Sequence, residues 1–130
     1  MSEQVKDTDA MIAGMNPVLL PDEYAFVMWP ADMSWPDGTI ASYGEPEGLS
    51  LIIPAQAAPA DAPAMRCVTL RVNSSLEGVG LTVAVSTALA QASIPANVVA
   101  AYHHDHVYVP ADMADRALTI LTDLQKDAAQ

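Results

Sequence analysis

The sequence has 130 residues, is 52% hydrophobic and only 16% charged, and carries a formal net charge of −11. That length argues for one compact domain or two very small packed ones, and that composition excludes global disorder. With only five Lys and Arg in the chain, a duplex-binding surface is excluded, and an acidic protein repels anionic lipid headgroups, so neither nucleic acid nor a membrane is expected as a partner.

Met1 to Asp7 is polar and lacks the apolar core of a signal peptide. No apolar run approaches the roughly 20 residues that span a bilayer. Cys67 is the sole cysteine, so no intrachain disulfide can form, and a cytoplasmic location is expected. Asp9 to Met15 reads as a short helix. Glu23 to Trp29 reads as a strand, with Tyr24, Phe26 and Met28 alternating with Ala25, Val27 and Trp29. Pro30 to Gly38 is rich in turn formers and predicts a surface loop, with Trp29 and Trp35 placed to pack either that loop or an oligomer contact. Ile40 to Tyr43 predicts a further short strand and Gly48 to Ile53 an apolar one, with Glu45 and Glu47 in a solvated loop between. The Pro/Ala-rich stretch from Pro54 to Pro63 is a connector, at most partly helical. The chain thus divides into 1–63 and 64–130.

In the second half, Val68, Leu70 and Val72 alternate with Cys67, Thr69 and Arg71, which predicts a strand with one buried face. Gly78 and Gly80 mark a turn. Leu81, Val85, Ala88, Leu89 and Ala92 then form the stripe of an amphipathic helix that Pro95 ends. Asn97 to Tyr102 and Val107 to Val109 read as strands, joined by the polar run His103 to His106. Pro110 is expected to open a last helix, whose apolar stripe is Met113, Ala117, Ile120, Leu121 and Leu124. The order β-α-β-β-α, with both helices apolar on one face, predicts a two-layer α/β (α+β) sandwich. A right-handed crossover makes the first two strands parallel, and the hairpin adds an antiparallel strand. Too few residues follow the last helix for the strand that would close a ferredoxin-like fold. That strand is expected from the N-terminal half or from another chain, the latter by dimerisation through sheet extension.

Asn73 to Thr82 leaves a strand and enters a helix, where unpaired backbone N–H groups attract negative charge. Gly78 and Gly80 allow close backbone approach, Ser74 and Ser75 offer hydroxyls, and Glu77 offers a carboxylate for an ammonium group. An amino-acid zwitterion needs that combination. The competing reading is ordinary helix capping, with the glycines serving only the turn. No Lys follows Gly80, so a phosphate-binding loop is unsupported.

The succession of strand, Ser74-Ser-Leu-Glu-Gly-Val-Gly-Leu81, helix and Ile94-Pro-Ala-Asn-Val-Val99 resembles an ACT domain. With Ala101-Tyr-His-His-Asp-His106 and the upstream Glu45-Pro-Glu-Gly-Leu-Ser-Leu51, it is similar to small bacterial proteins of paired ACT-like modules, related to those of aspartokinases and arginine sensors. The resemblance spans roughly Glu45 to Leu121. It implies a ferredoxin-like fold with tandem modules packed together, the first degenerate because it lacks a Gly78-Val-Gly80 equivalent. It further implies a non-catalytic regulatory role, with no cofactor, in which a small molecule, usually an amino acid, binds between modules. Carried onto this chain, the site comprises Ser74, Ser75, Leu76, Glu77, Gly78, Val79, Gly80, Leu81 and Thr82, with Asn97 and Val98 from the second strand. Asn97 has an amide that suits a zwitterion, and equally suits a turn. Asp105 is added as a group for a ligand amine or a partner module. The alternative is an oligomerisation module that has the fold and no ligand.

His103, His104, Asp105 and His106 invite a metal reading, but about four groups must converge for a structural site and neighbouring side chains on a strand point apart. No metal is expected; a solvated hairpin is the alternative. Cys67, placed mid-strand, reads as a small buried hydrophobe rather than a nucleophile.

Overall fold

The computed structural model describes residues 7–72 and 80–130. Its first element, α1 (Thr8–Ala13), starts where the Asp7 carboxylate accepts from the Ala10 N–H at 3.1 Å, and buries Met11 and Ile12. The chain then reverses through Asn16 at φ +43° into β1 (Pro17–Trp29). This strand is longer than its alternation suggested. Pro21 has no N–H for a ladder, and the pairing shifts register between Leu19 and Glu23. Arg66 holds the irregularity by donating from its guanidinium to the Leu20 carbonyl at 2.7 and 3.2 Å.

β1 pairs with β3 (Gly48–Pro54), and β3 with β2 (Ala41–Glu45), both antiparallel. Between β1 and β2, residues 30–40 form no helix; the Trp29 indole N–H donates to the Ser34 carbonyl at 3.2 Å within this loop, while Trp35 stays half exposed. A single 3-10 turn, Ala55–Ala57, interrupts the connector. The second half comprises β4 (Met65–Leu70), α2 (Leu81–Gln91), β5 (Asn97–Ala100), β6 (Asp105–Pro110) and α3 (Ala114–Ala128).

All six strands make one sheet in the order β2-β3-β1-β4-β6-β5, with every neighbouring pair antiparallel. β4 and β5 do run parallel, but β6 lies between them rather than outside. The strand expected to close the ferredoxin-like unit is the first part of β1, where Pro17, Val18 and Leu19 pair with Leu70, Thr69 and Val68. That position is therefore filled within the chain and is not open to a partner; the free sheet edges are β2 and β5.

Other local expectations shift by a few residues. Asp105 and His106 belong to β6, because the ladder continues to Leu70↔Asp105, which leaves His103 and His104 in the turn. Pro110 ends β6 instead of opening a helix; its extended backbone leads into a 3-10 turn, Ala111–Met113, ahead of α3. The helix α2 stops before Pro95 is reached, where Ser93 turns left-handed at φ +61° and Ile94 N–H bonds the Leu89 carbonyl at 3.0 Å.

The main core lies between the sheet and its helices. Val68, Leu70, Val107 and Val109 meet Val85 and Leu89 of α2, Ala117 and Leu121 of α3, and Met11 and Met15 around α1. Gln125 ties α3 to the end of α1, donating to the Ala13 carbonyl at 2.8 Å and the Asn16 side-chain oxygen at 3.0 Å. The opposite face has its own cluster, with Ile52, Met65, Cys67 and Tyr108 buried against Leu20, Tyr24, Ala41 and Val99. For Ala41 of one edge strand and Val99 of the other to pack on one cluster, the sheet must curl. β4 is consequently buried on both faces, with Cys67 at 1% and Val68 at 0% exposure, where a single buried face was expected.

Candidate ligand site

The start of α2 is built by Gly80, the N-cap, at φ +103° and ψ −17°. A side chain has no room there: a Cβ would lie 2.8 Å from Thr8 Cγ2 and 2.9 Å from its Oγ1. Glycine also brings no capping side chain, whereas α1 is capped by Asp7. The first-turn N–H groups of α2 thus receive no cap from their N-cap residue. Leu81 is buried in the core and Thr82 is exposed. Ser74, Ser75, Leu76, Glu77, Gly78 and Val79 lie outside the described residues.

Asp105 is the buried acid at this end of the sheet, 8% exposed and paired in register with Leu70, the last residue of β4. Side chains alternate along β6, so Asp105 shares the helix-covered face with Val107 and Val109. Burial raises its carboxyl pKa, and the neighbouring His106 and His104 pull it back down. The His104 ring Nδ1 lies 3.5 Å from the Val72 carbonyl, linking the β5–β6 turn to the chain as it leaves β4. Asp105 thus lies beside the end of β4, the strand that precedes α2 in the chain.

Asn97 and Val98 sit elsewhere within the chain. Asn97 pairs with Tyr108, which pairs with Cys67, three positions along the ladder from the Ala100–Asp105–Leu70 level. It is exposed and borders a recess with Phe26, Pro63 and Met65, while Val98 packs half-buried on the main core. His103 stacks edge-on against Tyr102 at 4.9 Å. His106 points to the helix-free face, its Nδ1 3.1 Å from Thr69 Oγ1. Among the described residues, no three His, Cys, Asp or Glu side chains are grouped to hold a metal ion, and no described helix is long and apolar enough to cross a membrane.

Two family models, each describing an ACT domain, match the sequence, one over residues 4–67 and the other over 64–123. A Vibrio cholerae protein of unknown function, described as a possible transport protein, is 38% identical over 87% of this chain and 92% of that one, with a TM-score of 0.74. The chain belongs to the ACT-domain family. An Agrobacterium tumefaciens protein (17% identity, TM-score 0.67, 84% of this chain and 87% of that one) shares the tandem ACT fold. So does the regulatory subunit of aspartate kinase from Thermus flavus (13% identity, TM-score 0.58, 83% and 95%). No curated protein matches the sequence.

The ACT sheet also carries a cleft on its helix-free face that the sequence reading missed. It is a cavity of about 330 Å³ with Cys67, His106 and Tyr108 from β4 and β6 on one side and Ile40 and Ala41 near β2 on the other. The period of two in β4 and β6 was the available signal. Reading it for the second face required knowing that β2 and β5 curl over that face.

Proposed function

We propose that this ACT protein is a non-catalytic regulatory protein that binds an amino acid beside the turn between β4 and α2, acting as a homodimer or higher homo-oligomer. The observation that carries this reading is the buried Asp105 paired beside Leu70 at the end of β4, the strand from which the chain leads into α2 with Gly80 as its N-cap. Backbone N–H groups at a helix start favour a carboxylate, and an acid favours an ammonium group. Ser74, Ser75 and Glu77 contribute further polar groups from the turn. Asn97 and Val98 enter from a neighbouring subunit, because the exposed Asn97 on edge strand β5 lies too far along the ladder to close the site within one chain. A nucleophilic role for Cys67 is disfavoured, since burial raises its thiol pKa.

A thermal-shift panel of free amino acids tests the proposal. A ligand that binds only the folded state at a hundredfold excess over Kd adds about 2.7 kcal/mol and raises the melting temperature. Glu77→Ala should weaken that binding while the fold persists. If no amino acid shifts the transition, the sensor reading fails and the oligomerisation module takes its place.

A further inference from the structure

The helix-free cleft lies on the opposite face of the sheet from the start of α2, and nothing in the proposed amino-acid site uses it. Its floor is the buried pair Cys67 and Tyr108, register partners across β4 and β6. A second apolar recess of about 180 Å³, bordered by Phe26 and Ile52, adjoins it, and Ala41 and Val99 line both. Three aromatic rings surround the joined space. Tyr108 meets Phe26 edge-on at 5.2 Å and Tyr24 edge-on at 6.3 Å. The cleft presents the Tyr24 and Tyr108 hydroxyls, the Cys67 thiol and the His106 ring as hydrogen-bonding groups, and the adjoining recess adds Ser42, Tyr43 and Ser50.

We propose that this cleft is a second binding site, taking a small neutral aromatic molecule with one hydrogen-bonding group. Its size permits this, since an apolar cavity of about 150 Å³ already holds benzene, and ligand sites begin near 300 Å³. Edge-to-face packing against Tyr24, Phe26 and Tyr108 favours a ring over an aliphatic chain. The hydroxyls and imidazole can each donate to or accept from a single polar atom on that ring. An anion is disfavoured, because burial opposes the protonated form of His106 that would pair with it and a chain of net charge −11 repels it.

The test is titration of the full chain with indole, followed by amide chemical shifts. Saturable binding is expected, with the shifts confined to the neighbourhood of Tyr24, Ala41, Cys67, Val99 and Tyr108. Val99→Phe fills the cleft and should weaken indole at least about tenfold with the circular dichroism spectrum unchanged. Indole-3-acetate should bind at least about tenfold more weakly than indole. If Val99→Phe fails to fold, the wild-type shift map decides alone. Unsaturable binding, shifts spread over the exposed Met28, Val83 and Tyr102, undiminished affinity in a folded Val99→Phe, or equal affinity for the anion would each overturn the proposal. Amino-acid binding measured in the same samples reads the turn site independently.

Discussion

Gly80→Ala probes the junction on which the proposed amino-acid site rests. At φ +103° an L-residue is held in a sparsely populated region, at a cost of about 1–3 kcal/mol. The new Cβ would also press on Thr8 of α1 at 2.8 and 2.9 Å, distances at which something must move. Overpacking of that kind costs about 1–3 kcal/mol. Together these predict a loss of roughly 2–6 kcal/mol, a large share of the stability of a small protein. The two contributions separate in a double-mutant cycle, because Thr8→Ala removes both clashing atoms and leaves the backbone strain. Urea unfolding followed by tryptophan fluorescence measures all four proteins. Gly80→Ala should cost about 1–3 kcal/mol less in the Thr8→Ala background than alone. A Gly80→Ala protein within about 0.5 kcal/mol of wild type, the range of an unremarkable surface change, would refute the strain argument. Equal costs in the two backgrounds would refute the contact between α1 and the start of α2.

Two further outcomes concern the helix-free face. Burial, reinforced by His104, lowers the His106 pKa below its ordinary 6.5, against the opposing pull of Asp105. A depressed histidine contributes stability above pH 6.5 that is lost as pH falls through the folded-state value, so wild-type stability should decline on acidification in that window. His106→Asn should flatten the decline, and an unchanged pH profile would contradict the assignment. Cys67 is 1% exposed and its thiol pKa is raised by burial, despite hydrogen bonds from Thr69, Tyr108 and the Val107 backbone that favour the thiolate. An aromatic disulfide reagent should therefore label it only after denaturation, whereas rapid stoichiometric labelling of the native protein would show the cluster to be open.

Much of the fold was legible because its signals are local. The predicted stripes placed both long helices, and of their members Leu81, Val85, Leu89, Ala117 and Leu121 are buried. Ala92, Met113, Ile120 and Leu124 pack partly buried on the core, Ala88 is half-buried, and Ala114, outside the stripe, is buried as well. Alternation at Val68, Leu70, Val107 and Val109 likewise marked the face that meets them. Boundaries were less legible where hydrogen bonds outweighed composition. The polar pair Asp105 and His106 reads as loop, yet the Leu70↔Asp105 and Thr69↔His106 ladder makes it strand. The alternation from Glu23 to Trp29 showed only the second part of β1, whose first part is joined to it across an irregularity held by the Arg66 guanidinium on the Leu20 carbonyl.

The sequence by itself determined the helices, the order of strands along the chain and the ACT resemblance. Each depends on periodicity, glycine placement or contiguous motif, which are readable over a few residues. The tertiary structure alone decided that β6 separates β4 from β5, that β1 supplies the closing strand, and that the sheet curls until β2 and β5 share a cleft. Those outcomes come from pairing between segments distant in sequence. An apolar strand face looks the same in sequence whether helices, another strand or a ligand covers it.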